Sequence, residues 1–292
     1  MQLVHTCNNV VQYQEKRMVK ETNIISGVRL DIKEVNKYLQ KQQWAEQWRI
    51  FKNNTDINMF QDWIKPYTFN DFKNKVVIDL GCGNGQHLNI LSSYIKSGVG
   101  IDKYSYQTAT DNNKHNDNIS IFNKDINEFH SKRKYDITYS IGVIHHTPDP
   151  DITFNNIKKS IKKGCTLIIM VYSSEGNIMN RMLVETFKGL FEIHKLKHKE
   201  KLGLSKMFTY MINVAAKTIY RLNMKFMPFN SYIQQWNTLS FERNTLNIYD
   251  KLNAPITHYI TKDTINEWFK GFDDVNIRHH MNVCWCVSGV KN

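Results

Sequence analysis

An open, doubly wound α/β sheet is the fold that this 292-residue sequence predicts, and three observations carry it. The apolar run Val76-Val-Ile-Asp-Leu80 breaks into a glycine turn, Gly81-Cys-Gly-Asn-Gly85, and a helical pattern follows. Short apolar runs and helical patterns then alternate to about residue 175. The second apolar run ends in a carboxylate, Asp102, about 20 residues past the first glycine, where a βαβ unit sets an acid beside a ribose.

Residues 1–68 read as an N-terminal extension with a helix over residues 32–51, because Trp44, Trp48 and Phe51 fall four and three apart. The core spans residues 69–175. Its first strand is short and apolar, as expected where helices cover both faces of a parallel sheet. Gly81, Gly83 and Gly85 let the backbone turn tightly and approach a ligand without Cβ atoms in the way. Leu88, Leu91 and Ile95 recur at helical spacing, so the turn opens a helix whose first N–H groups face the ligand. The dinucleotide fingerprint G-x-G-x-x-G competes for this turn and fails, since its third glycine would fall on Gln86.

The second strand, Gly98-Val-Gly-Ile-Asp102, brings a carboxylate able to hold both hydroxyls of an unphosphorylated ribose. The third, Ile119-Ser-Ile-Phe122, leads to Asp125 and Ile126, and Asp125 can accept from an adenine amino group. A fourth strand follows Tyr135. The helix after it has the buried stripe Phe154, Ile157 and Ile161 and stops at Gly164; its cations Lys158, Lys159, Lys162 and Lys163 read as a solvated face that suits the helix dipole. The fifth strand is Thr166-Leu-Ile-Ile-Met-Val-Tyr172. Residues 176–255 form a basic, mostly helical insertion, and residues 256–292 return with a helix and two β runs, near 274–278 and 283–290.

These motifs together resemble the class I S-adenosylmethionine-dependent methyltransferases, in particular the small-molecule, type 11 or UbiE-like branch. The matching residues are Asp79-Leu-Gly-Cys-Gly-Asn-Gly85, Gly100-Ile-Asp102, Asp125-Ile126 and the stretch Tyr135 to Pro150 with its pair His145-His146. The resemblance implies a Rossmann-like seven-stranded sheet in which the last two strands form an antiparallel hairpin. It implies S-adenosylmethionine as cofactor and S-adenosylhomocysteine as product. It places Asp79, Gly81, Cys82, Gly83, Asn84 and Gly85 near the methionine part, with Ser140 and Ile141 on the same side, Asp102 at the ribose, Asp125 with Ile126 at the adenine, and Lys103 as a further cofactor-binding residue.

Composition narrows the function. No apolar run approaches the roughly 18 residues of a membrane span. The N-terminus lacks a basic start followed by an apolar block, and the five cysteines are odd in number, so a cytoplasmic protein with reduced thiols is expected. Cys284 and Cys286 share a strand face, but without a second pair no zinc site, and no other metal, is expected. The net charge of +12 concentrates between residues 178 and 225, where ten cations face three acids among interleaved apolar side chains. The expected reading is a helical lid whose apolar face packs on the core; contact with an anionic membrane is the alternative.

Methyl transfer needs few catalytic side chains, because the sulfonium is already an activated electrophile and alignment supplies much of the rate. His145 and His146, after the fourth strand, either take a proton from the acceptor or shape the turn before Pro148-Asp-Pro150. Tyr172, Glu175, His258 and Tyr259 are the expected border of the acceptor pocket. His279 and His280 alternate faces of a strand and are left outside the site. The Asn/Asp-Pro-Pro-aromatic motif of enzymes that methylate base amino groups is absent after the fourth strand. The expected reaction is transfer to oxygen or nitrogen of a small molecule, lipid-like or glycosylated. An RNA-modifying enzyme, and a binding module that kept the fold without catalysis, are the alternatives.

Overall fold

The computed structural model describes residues 43–131, 133, 135–222, 227 and 229–292. The part of the expected N-terminal helix before residue 43 lies outside them; residues 43–50 are helical and carry Trp44 and Trp48. A second helix covers Ile57–Trp63 and starts at Asp56, whose carboxylate accepts from Met59 N.

Seven strands follow: β1 Val76–Leu80, β2 Ser97–Ile101, β3 Ile119–Phe122, β4 Ile137–Ile141, β5 Thr166–Tyr172, β6 Phe272–His280 and β7 Cys284–Lys291. Their order across the sheet is β3-β2-β1-β4-β5-β7-β6. The first five are parallel, whereas β7 runs antiparallel between β5 and β6. The order reverses between β1 and β4, the switch point where an open α/β sheet receives a ligand. Asp79 is level with Gly100 on β2 and with Tyr139 on β4, which brings the three strand ends together there.

Both faces of the sheet are covered, which is why the strands read as continuous apolar runs. Ile78, Leu80, Leu167, Ile169, Val171, Trp285 and Val287 point into one core with Phe154 and Trp268. Their neighbours Val77, Ile168, Met170, Cys284 and Cys286 point into the other, with Phe60, Leu88 and Tyr139. The helix after the glycine turn is shorter than its periodicity predicts: it ends at Leu91, and Ile95 is buried beyond it.

Two expectations need correction. Lys158, on the helix Pro150–Ser160, is not part of a solvated face. Its Nζ donates to the carbonyls of Trp268 (3.0 Å) and Lys270 and lies over the Phe272 ring, so it fastens the C-terminal helix Lys262–Trp268 to the core. In the insertion, Ile233, Trp236, Leu246, Tyr249 and Leu252 of the two later helices are buried as expected, but much of the apolar surface of the two earlier helices does not turn inward. The helix Ile178–Leu190 buries no residue, and Ile178, Met182 and Leu190 are exposed. The helix His198–Thr218 buries Lys201, Ser205, Thr209 and Ala216 and leaves Met207, Tyr210 and Met211 in solvent. Small side chains let it lie close to the helix Phe241–Asn253, and Lys201 is taken up by Asn253 Oδ1 (3.3 Å) and Gln43 Oε1 (3.2 Å).

Candidate functional site

The glycine turn after β1 is held at both ends. Gly81 and Cys82 donate to Ile101 O, and Gly85 caps the next helix in the left-handed region (φ 74°). A Cβ at Gly85 would meet Asn113 Nδ2 at 2.4 Å, so this glycine serves packing. Gly83 also has a positive φ of 54°, and the Trp48 indole lies where its Cβ would be, at 2.7 Å. Asn84 is fully buried: its amide donates to the carbonyls of Phe51 (3.3 Å) and Lys52 (3.2 Å), and its Oδ1 accepts from Gln86 N. Its side chain ties the turn to the preceding helix and is not presented to a ligand.

Asp102 closes the loop from below. Oδ2 accepts from Gly83 N (3.0 Å), and Oδ1 accepts from Tyr104 N (2.9 Å) and Ser105 N (2.6 Å). Burial works to raise its pKa, against these three donors. A carboxylate offers about four acceptor positions, so three engaged N–H groups leave about one for a hydroxyl rather than two. Lys103 and Asp125 pair with each other, and Asp125 also accepts from Asn127 N (2.9 Å). Burial opposes ionisation of Asp125, but Lys103 and that N–H hold its carboxyl below the usual range. Ile126 turns its side chain into the core, which leaves only its backbone for an adenine.

Asp79 is almost completely buried, and its Oδ2 has no hydrogen-bond partner among the described residues. Burial, with Asp102 nearby, pushes its carboxyl well above the usual range. Its neighbour His87, 4.0 Å away and stacked on Phe60, is pushed down to about 3 by burial and by Arg243. Ser140 donates to Leu80 O (2.8 Å) and locks β4 to β1. The thiol of Cys82 is raised well above its ordinary value by burial, so it is not a nucleophile.

Beside this loop lies a cavity of about 160 Å³. One wall is Gly81, Cys82, Gly83, Ile141 and Gly142; another is Gln47, Trp48, Met59 and Trp63; the insertion closes it with Tyr232, Trp236, Arg243, Asn247, Asp250 and Lys251. Asp250 anchors the polar part. It accepts from Gln47 Nε2 (2.8 Å) and from the Tyr172 hydroxyl (3.0 Å), and His146 Nε2 is 3.8 Å from its Oδ2. His146 Nδ1 bonds the carbonyl of Ile256 at 2.8 Å, which assigns the proton to Nδ1 and leaves Nε2 as the basic nitrogen. Burial keeps both histidines below their ordinary pKa; in His146 the nearby Asp250 works the other way. Tyr172 is raised well above its ordinary value by burial and by Asp250, so it stays a donor.

Of the residues expected at the acceptor border, Tyr172 lines the cavity and three do not. Glu175 is exposed and accepts from Lys262 N (2.8 Å) at the start of the C-terminal helix. His258 N donates to His145 O (2.8 Å), and Tyr259 stacks near Tyr172 beneath the guanidinium of Arg181. His145 and His146 sit behind Tyr172 rather than on the cavity wall, with His145 4.2 Å from both rings. His280, which sequence reading left outside the site, lines the cavity instead, 3.4 Å from Asp62. Arg243, Asp250 and Gln47 were missed as well. The signal for the first two was a polar stripe, Arg243, Asn247, Asp250 and Lys251, on one face of a helix.

A sheet of this order, with antiparallel β7 inserted beside β5 and a glycine turn and acid at the switch point, defines a class I methyltransferase fold. The chain belongs to the family described as Methyltransferase domain, whose model matches residues 58–276. It is an S-adenosylmethionine-dependent methyltransferase, and the match does not specify a branch of the class. The 235L protein of Invertebrate iridescent virus 6, named for a methyltransferase, is 26% identical over 202 residues, 62% of this chain and 74% of the relative. A tRNA U34 carboxymethyltransferase of Nautilia profundicola is 27% identical over 176 residues, 53% of this chain and 58% of that protein. The chain thus spans little more than half the length of that relative. PKMT2 from Rickettsia typhi, solved in complex with AdoHcy, shares the fold: the TM-score is 0.52 at 14% identity, over 78% of this chain and 53% of that one. No helix of the described residues is long and apolar enough to cross a membrane.

Proposed function

We propose that the protein transfers the methyl group of S-adenosylmethionine to an oxygen or nitrogen of a small-molecule acceptor held in the cavity beside the glycine turn. The observation that carries this reading is the cavity itself, bounded on one side by Gly81–Gly83 and on the other by helices of the insertion. Its volume is about that of an engineered 150 Å³ cavity that takes up benzene, enough for one ring or a branched group. The chain's residues fit the cofactor. Asp102 keeps about one acceptor position for a ribose hydroxyl, and Gly83 leaves the turn without a side chain.

Bound S-adenosylmethionine supplies an electrophilic methyl group on a positively charged sulfur. The chain's own work is alignment and proton removal. Trp48, Trp63 and Trp236 wall the cavity and keep water from the acceptor. Asp250, oriented by Gln47 and Tyr172, is the base that takes the acceptor's proton, and the basic Nε2 of His146 lies behind it on the side where that proton can be passed on. The exposed apolar row at Ile178, Met182, Leu190, Tyr210 and Met211, set among lysines, supports a lipid-like acceptor met at an anionic membrane surface.

The test is calorimetric titration with S-adenosylhomocysteine, with NADH as competitor. Saturable binding that NADH does not displace is expected, followed by an acceptor screen with labelled methyl donor. Failure to bind, or preference for NADH, overturns the reading; cofactor binding without turnover on any acceptor favours a binding module. A second reading, RNA modification, is favoured by the tRNA U34 carboxymethyltransferases among the relatives and by the charge of +12. It requires RNA binding that weakens steeply with salt.

A further inference from the structure

Arg243 stands on the insertion wall of the cavity, two turns before Asp250 on the helix Phe241–Asn253. Its side chain is buried, 7% exposed. Nε has no hydrogen-bond partner, and no carboxylate among the described residues lies within ion-pair distance of the guanidinium. Asp56 and then Asp250 act on it from beyond that distance; Asp56 accepts from Met59 N, and Asp250 from Gln47 and Tyr172. The Trp63 ring lies 5.7 Å away. A cation over an aromatic ring gains about 0.5–2 kcal/mol, well short of the several kcal/mol that burying an unpaired ion costs. Arginine does not escape this by losing its proton. A second cation, Lys251, lines the same cavity and is held by the Tyr232 hydroxyl at 2.9 Å.

We infer that Arg243 receives an oxyanion of the acceptor, a carboxylate or a phosphate, so that the substrate class is a small anionic molecule. The planar fork of a guanidinium matches such a group with two parallel hydrogen bonds, and Lys251 adds a point charge. The aromatic side chains Trp48, Trp63, Tyr232 and Trp236 then contact the acceptor's apolar body. The anion fixes the acceptor's orientation toward the glycine turn, and the reacting oxygen or nitrogen lies on the side of Asp250. This rests on the cavity being the acceptor site. The same chemistry could come from the cofactor's own carboxylate, and the experiment separates the two sources.

Benzoate, its neutral counterpart benzamide, and inorganic phosphate are titrated into the wild type, Arg243→Gln and Arg243→Lys, following tryptophan fluorescence, with and without saturating S-adenosylhomocysteine. Expected are saturable benzoate binding that persists in the S-adenosylhomocysteine complex, a preference for benzoate over benzamide, and loss of that preference in Arg243→Gln. Benzoate affinity should fall roughly tenfold or more in that variant and recover partly in Arg243→Lys, while S-adenosylhomocysteine affinity stays within about twofold. Displacement of benzoate by S-adenosylhomocysteine, with weaker cofactor binding in Arg243→Gln, would assign the residue to the cofactor and overturn the inference. So would equal binding of benzoate and benzamide, or response to neither anion. The titrations without cofactor test Arg243 even if S-adenosylhomocysteine itself does not bind. Thermal melts of both variants verify folding, because removing an unpaired buried charge should not lower stability.

Discussion

Replacing Asp102 by alanine gives the sharpest test of the cofactor site. Three of about four acceptor positions on this carboxylate are taken by Gly83, Tyr104 and Ser105 N–H groups, at 3.0, 2.9 and 2.6 Å. On the proposed reading the remaining one serves a ribose hydroxyl. A hydrogen bond to a charged group contributes about 1.5–3 kcal/mol, so losing it alone weakens S-adenosylhomocysteine binding by roughly 10- to 150-fold. The alanine also frees three N–H groups and loosens the loop, so this range is a floor. Asp102→Asn discriminates further. Its amide oxygen can still accept from Tyr104 and Ser105, but its NH2 would face the Gly83 N–H, donor against donor. The asparagine should therefore bind between wild type and alanine. Calorimetry on the three proteins decides the matter, and an affinity within about twofold of wild type in Asp102→Ala would refute the assignment of this residue to the ribose.

Three other perturbations have calculable outcomes. Gly83→Ala places a Cβ 2.7 Å from the Trp48 ring in a left-handed conformation, where an L-residue costs about 1–2 kcal/mol; the turn or the indole must move, visible as altered Trp fluorescence and weaker S-adenosylhomocysteine binding, and an unchanged affinity would mean that the turn does not touch the cofactor. Tyr172→Phe removes the buried 3.0 Å bond to Asp250 and should cost about 1.5–3 kcal/mol in urea unfolding, with a change under about 0.5 kcal/mol counting against the network. His87, whose pKa falls from 6.5 to about 3 on folding, takes up its proton more readily in the unfolded chain. Stability should therefore fall as pH drops through 6.5 toward 3, by about 2 kcal/mol at pH 5, and His87→Phe should flatten that slope in denaturant titrations at several pH values.

The fold was legible because its signals are local. Each parallel strand is buried on both faces, so Val77 and Ile78, or Ile168 and Ile169, are apolar in succession although they point into different cores. The glycine turn was legible for the same reason, since Gly81 to Gly85 are contiguous and one conformation demands them. Residue type was a weaker guide to what each side chain does within that motif. Asn84, Lys103 and Asp125 have the chemistry to meet a cofactor, yet Asn84 binds the carbonyls of Phe51 and Lys52, and Lys103 and Asp125 hold each other. Such pairings join positions 22 to 33 residues apart and leave no trace in spacing.

The acceptor side was hidden by distance along the chain and by ambiguity of pattern. Gln47 meets Asp250 across 203 residues, and a polar stripe at 243, 247, 250 and 251 looks in sequence like the wet face of a surface helix. What sets Arg243 apart in the stripe is burial, because a buried polar group must find a partner or raise the energy of the fold. On this helix Asn244 donates to Trp236 O, Thr245 to Phe241 O, and Asn253 to Gln43 O, while Asp250 accepts from Gln47 and Tyr172. The guanidinium of Arg243 makes no such bond. The other polar groups find their partners largely on neighbouring elements, so an arginine buried there without one is accounted for, on the proposed reading, by an acceptor that brings the missing charge.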